Sequence, residues 1–193
     1  MFKPTTKLLS VATAALLMTT GIAHAQTQAV TATVTVQNNL TLAAPGNLNW
    51  GTIVAVGDAV QSASLAVSGL GVLGAPATTG APAVIAIVDN TAAEGAQITI
   101  DGGADGATLN VDFQNVVDPT DGVSSFTLDT FLVDRNAAGA PAAQVAGVPF
   151  TFVYDAAFNA GVNTMDIGAT ITTASTIFAD AVYAGGFDAV FSY

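Results

Sequence analysis

Apolar and polar residues alternate along much of this chain with a period of two. In AVTATVTVQNNLTL, residues 29–42, Val30, Ala32, Val34 and Val36 fall on one side and Thr31, Thr33 and Thr35 on the other. That spacing predicts a β-strand with one apolar face. Further strand-like runs cover residues 48–56, 60–67, 83–89, 96–100, 107–113, 124–134, 148–155, 165–173 and 185–193. Gly57-Asp58 between the first two reads as a hairpin turn, and DPTDG at 118–122 reads as a turn by composition. The run AVIAIVD, 83–89, is apolar almost throughout, as expected of a strand covered on both faces. Residues 135–147 read as a loop. In the last run Phe187, Ala189, Phe191 and Tyr193 share one face, which predicts a terminal strand locked into the core. No window repeats at 3.6 residues, and Glu94 is the only Glu, so the pattern predicts little or no helix. About ten short strands at this spacing give an all-β protein, a sandwich or a barrel.

The first residues break this pattern. Lys3 and Lys7 precede an apolar run that ends in Ala23-His24-Ala25. This is the layout of a cleaved secretory signal peptide over residues 1–25, too short and too interrupted to span a membrane as a helix. The expected product has 168 of the 193 residues, enough for one domain with a core. Residues 26–44 then form an N-terminal strand and possible donor segment, and residues 45–193 the β domain. The expected location is the periplasm, the cell surface or the medium.

Removing residues 1–25 changes the chemistry available. Lys3, Lys7 and His24 leave, and Arg135 stands alone against 14 carboxylates, a formal charge of −13. Nucleic acid is excluded as a partner, because phosphate binding needs clustered Lys and Arg. Anionic membrane surfaces are disfavoured on the same ground. The chain has no cysteine, so burial and backbone pairing must hold it without disulfides. Without His, Cys or Lys there is no imidazole base, thiol nucleophile, Schiff base or ordinary zinc site. The composition therefore points away from an enzyme and from a cofactor. Trp50 reads as a core residue with sugar stacking as the alternative, and Arg135 as a solvated loop charge or an ion-pair partner of Asp134.

Two segments carry a resemblance. GNLNWGTIVAV, residues 46–56, resembles the L-x-F-G-x-I opening of an exported bacterial family, domain of unknown function 4402, with Trp50 in place of Phe. Near the other end, Ile167-Gly168-Ala169-Thr170-Ile171 and Tyr183-Ala184-Gly185-Gly186-Phe187 resemble that family's closing V-G-A-T-L and G-x-Y-x-G-x-F patterns. The family is similar to spore-coat-protein-U-like and chaperone–usher pilin-like proteins. The resemblance implies an immunoglobulin-like antiparallel sandwich and a non-enzymatic subunit of a surface fibre or coat, assembled through a donated N-terminal strand. The partners it implies are other copies or related subunits, with a periplasmic chaperone and usher. Val30, Ala32, Val34 and Val36 are then the assembly residues. The chain departs from usher-assembled pilins in lacking their disulfide and in ending on Tyr193 itself. The alternatives are a Ca²⁺- or glycan-binding module, a monomeric periplasmic sandwich, and an outer-membrane barrel, whose aromatic girdles this chain lacks.

Calcium is the metal the residues would suit best. Asp101 and Asp105 lie in DGGADG, and Asp118 and Asp121 in DPTDG, on Gly-rich segments that offer hard oxygen ligands. Neither matches the twelve-residue EF-hand spacing, and Asp and Gly form turns without a ligand. The expectation is no tight Ca²⁺ site. Thermal melts in Ca²⁺ and in chelator should nearly coincide; a shift above about 5 °C, on the order of 1 kcal/mol, would restore the four aspartates as ligands.

Overall fold

A computed structural model describes residues 40–44 and 46–193, all within one compact unit, Gln37–Tyr193. The expected signal peptide and the expected strand with Val30, Ala32, Val34 and Val36 lie outside the described residues. The described chain is all-β, with twelve strands in several antiparallel sheets and one 3-10 turn, Phe158–Gly161. In chain order the strands are β1 (Thr41–Ala43), β2 (Asn49–Val56), β3 (Ala63–Val67), β4 (Ala77–Thr78), β5 (Val84–Glu94), β6 (Ala96–Asp101), β7 (Thr108–Thr120), β8 (Phe126–Arg135), β9 (Ala142–Gln144), β10 (Phe150–Val153), β11 (Asn163–Thr173) and β12 (Ala184–Ser192).

β11 is the axis. Its alternating Met165, Ile167, Ala169 and Ile171 are buried, a row of apolar side chains that only a covered sheet face can accept. Along one edge it pairs with β8, from Met165↔Arg135 to Thr173↔Phe126, and β9 pairs with β8 beyond. Two strands share its other edge. β6 pairs with the first half, Asn163↔Ile100 to Ile167↔Ala96, and β3 with the second, Ala169↔Val67 to Thr172↔Ser64. Small residues make that seam possible. A Cβ at Gly168 would collide with the Val67 carbonyl oxygen, and one at Gly95 with that of Gly69. β1 and β4 flank β6 and β3. Thus residues 41–43, grouped with the N-terminal segment in the sequence reading, are part of the body.

A second sheet has the order β10-β7-β12, and β2 and β5 form a two-stranded ribbon. The sheets meet through aromatic side chains. The Phe113 ring on β7 lies 4.6 Å from Phe131 on β8, 5.4 Å from Phe150 on β10 and 5.2 Å from Phe187 on β12. Phe131 and Phe187 are 4.7 Å apart. Such tilted and edge-on pairs each contribute roughly 0.5–1.5 kcal/mol beyond the area they bury.

Several expectations change. Gly57-Asp58 does not close a hairpin: β2 pairs with β5, and β3 with β11 and β4. The chain there crosses between sheets, because β2 and β3 take their backbone partners from different strands, although their apolar faces meet the same core. β5 is not covered on both faces. Ala83 and Ile85 are buried, whereas Val84, Ile87 and Val88 are exposed. β7 runs on through Asp118-Pro119-Thr120, and the turn falls at 121–124, where the Ser124 carbonyl accepts the Asp121 N–H. The 135–147 loop contains β9. Tyr193 is not in the core; it lies beyond β12 and is 57% exposed, because nothing in the described residues covers the end of that strand.

Phe113→Ala should cost about 3–5 kcal/mol, since the ring is fully buried among three others. Gly168→Ala should also destabilise, by about 1–3 kcal/mol, by forcing the β3 backbone off β11. Urea denaturation of both variants checks this; a Gly168→Ala protein as stable as the parent would remove the seam argument.

Candidate functional site

β11 defines two poles. At its start, Asn163 pairs with Ile100, and Ile100 with Leu42. Here the Asn163 side chain is buried, accepting from the Asp155 N–H and Asn136 Nδ2 and donating to the Asp155 carbonyl. The Tyr154 hydroxyl donates to the Gly161 carbonyl. At its end, Thr173 accepts the Ala63 N–H through Oγ1 at 3.0 Å, and Ser175 Oγ accepts the Ser125 N–H at 2.8 Å.

Three loops converge on this second pole and form a crown. Residues 57–62 join it because Gly57 abuts Ser175; a Cβ there would run into the Ser175 carbonyl oxygen. Residues 121–125 are tied to residues 174–183 by a 2.9 Å bond between the Ser124 and Tyr183 hydroxyls. The Tyr183 hydroxyl also accepts the Ala179 N–H at 3.0 Å. Beneath them Phe126 stacks on Phe178 at 4.5 Å and meets Tyr183 edge-on at 5.2 Å. The crown is therefore anchored on an aromatic base.

Its outer side chains are aliphatic. Val60 is 84% exposed, Val123 94%, Ile177 79% and Val182 88%. Each valine stands two residues after an aspartate: Asp58, Asp121 and Asp180. Asp58 Oδ1 accepts the Val60 and Gln61 N–H groups, both at 2.9 Å. Asp121 Oδ1 accepts those of Val123 and Ser124 at 2.9 and 2.7 Å. These two turns hold Val60 and Val123 outward. They also hold the carboxylates below the ordinary 3.8, chiefly through the Gln61 N–H for Asp58 and the Ser124 N–H for Asp121. The repeated Asp-x-Val spacing is the sequence signal for the crown. A fourth copy, at 188–190, lies inside β12.

Several strand edges are also open, two of them beside the crown. Among the described residues nothing pairs with the outer edge of β12 or of β2. Phe187, Ala189 and Phe191 on β12 face the core but are only half-buried. Trp50 on β2 is half-buried against the core, and its indole N–H is buried without an acceptor.

The structure separates the other sequence candidates. Asp101 Oδ1 accepts the Gly102 N–H, Asp105 Oδ1 that of Ala156 and Asp118 Oδ1 that of Leu128. With Asp121 in its turn, all four serve the backbone, and among the described residues no three metal-ligating side chains converge. The Arg135 guanidinium lies 5.5 Å from the centre of the Phe150 ring, a packing role that charge counting missed. Asp134 and Asp166 are buried and opposite one another on β8 and β11. Their carboxylates bond in different directions: Asp134 Oδ2 accepts the Gly139 N–H and Asp166 Oδ1 accepts from Gln97 Nε2. A shallow cavity of about 320 Å³ beside Asp166 is lined by Glu94, Gln97, Leu70 and glycine backbone. No helix of the described residues is long and apolar enough to cross a membrane.

No family model, curated protein or solved structure matches this chain.

The lowered carboxylates of Asp58 and Asp121 give a pH test. A carboxylate held low stabilises fully above its unfolded value of 3.8, and that contribution fades as pH falls through the lower folded value. The double variant Asp58→Asn, Asp121→Asn keeps the acceptor oxygens but not the charge. It should melt somewhat below the parent at pH 7 and coincide with it near pH 2. A gap that does not close in acid would show that these bonds are not charge-assisted.

Proposed function

We propose that this chain is an exported, non-enzymatic structural subunit with an immunoglobulin-like sandwich fold, joining copies of itself into a surface fibre or coat by strand donation. The observation that carries this reading is the outer edge of β12. Phe187, Ala189 and Phe191 point inward yet stay half-buried, and among the described residues no strand lies beside them. An added strand would cover those rings and satisfy the edge N–H and C=O groups, which otherwise invite uncontrolled pairing.

The chain carries a segment of the right chemistry. Residues 29–36 alternate Val or Ala with Thr and bear no charge, so one face can enter an apolar groove without burying an ion. The missing His, Lys and Cys of the expected exported form support a structural role over catalysis. Free edges on several separate sheets favour this reading over a closed barrel, which has none. The resemblance of Ile167–Ile171 and Tyr183–Phe187 to domain of unknown function 4402 points the same way.

Replacing Val34 with Asp separates donation from self-pairing. A donor segment tolerates the change within its own subunit, so the variant should fold with the parent's melting temperature and sediment as a monomer where the parent associates. If residues 29–36 pair within their own body, the variant should instead lose several kcal/mol. A stable Val34→Asp protein that still associates would refute donation.

A further inference from the structure

We propose that the crown is the face on which the next subunit docks, with Val60, Val123, Ile177 and Val182 seating residues 26–39 of a second copy as that segment reaches the β12 edge. This rests on the strand-donation reading and adds to it a docking surface that the alternation of residues 29–36 does not reveal.

The first argument is exposure without mobility. Four large aliphatic side chains are 79–94% exposed at one pole, where a solitary surface valine would need no explanation but a converged set does. The loops that carry them are tied together through Ser124, Ser125, Ser175 and Tyr183 over the Phe126–Phe178 stack. A surface held in place before binding loses little freedom on docking.

The second argument is position. The body begins at the other pole, where Thr41 pairs with Asp101. The eleven residues of β11 between the poles span about 35 Å. A subunit's own N-terminal segment would have to double back over that length, whereas a neighbour stacked pole to pole presents its segment at the crown directly. Such a contact joins unlike faces and propagates along a chain of copies. β12 starts at the crown, with Ala184 next to Tyr183, and β2 ends there at Val56, so the crown is the mouth of these two open edges. Fourteen residues, 26–39, extend to about 46 Å, enough to cross it and run along the nine residues of β12.

The third argument is charge. Asp58, Asp121 and Asp180 rim the crown, and Arg135, the one cation of the described residues, pairs in register with Met165 near the opposite pole. Most of the surface of a second copy would repel this rim. Residues 26–57 carry no charge at all, which makes the N-terminal segment the part of a neighbour that can approach it. The same acidic rim argues against a lipid surface, whose phosphates would meet it unfavourably.

The test uses the purified chain and two variants, Val34→Asp and the quadruple Val60→Ser, Val123→Ser, Ile177→Ser, Val182→Ser. These serines replace exposed side chains, and circular dichroism verifies the fold. Association is measured by sedimentation velocity. Binding of a fluorescent peptide with the sequence of residues 26–39 is measured by anisotropy on the monomeric Val34→Asp protein, with and without the four serines. The serines should weaken both association and peptide binding at least about tenfold. If Val34→Asp blocks association while the quadruple variant associates and binds peptide like the parent, donation stands and the crown assignment falls. If Val34→Asp leaves association intact, donation itself falls, and this proposal with it. Flotation of the chain with neutral phosphatidylcholine vesicles, abolished by the serines while peptide binding is unchanged, would also overturn the assignment in favour of lipid.

Discussion

One strand edge shared by two partners organises this molecule. β11 gives its first five positions to β6 and its later ones to β3, and the changeover needs backbone to pass backbone at Gly69, Gly95 and Gly168. A side chain at any of these points would collide with a main-chain atom, which cannot rotate away as a side-chain tip can. The seam has consequences in both directions. It lets β5 leave the β2 ribbon and continue as β6 in another sheet after a single residue, Gly95. It also sets the two poles, since everything that pairs with the start of β11 lies at one end and everything that pairs with its close lies at the other.

Around that axis the body is held by few strong devices. There is no disulfide to restrain the unfolded chain, as no cysteine is present. Burial at the junction of Phe113, Phe131, Phe150 and Phe187 replaces it. At both poles polar side chains serve the backbone. Asn163 uses its amide at the first pole, and the Asp58 and Asp121 carboxylates close turns at the second. This division matters for the proposed role. Carboxylates close turns, the N-terminal segment carries none, and the one on β12, Asp188, accepts from Asn115 Nδ2 on β7.

Much of the fold was legible from alternation. The strands at 49–56, 96–101, 126–135, 163–173 and 184–192 follow runs whose period of two is clear in the sequence, because one covered face selects apolar residues at every second position. Trp50, Phe187 and Phe191 were legible as core-facing residues for the same reason. The failures have a common cause. Gly57-Asp58 has turn chemistry, but turn chemistry does not say which strands a turn joins. The apolar run of β5 marks a strand, yet apolar character on both faces does not say that both are covered. Tyr193 continues the alternation of β12 but lies past the last pair, Ser192↔Asn110, and is exposed.

By itself the sequence determined an all-β chain, free of disulfides, strongly acidic and poor in catalytic side chains, because these follow from residue type and local period. It also contained the Asp-x-Val triplets, but their spacing does not say which copies meet: three sit at the crown and the fourth, 188–190, lies inside β12. Only the tertiary structure decided which strands share β11, which edges stay open and which loops meet at one pole. Those facts depend on pairings between residues far apart in the chain, such as Ala63 with Thr173 and Ser124 with Tyr183. Local pattern fixes the face a side chain presents, whereas the partner of that face is chosen by packing across the whole body.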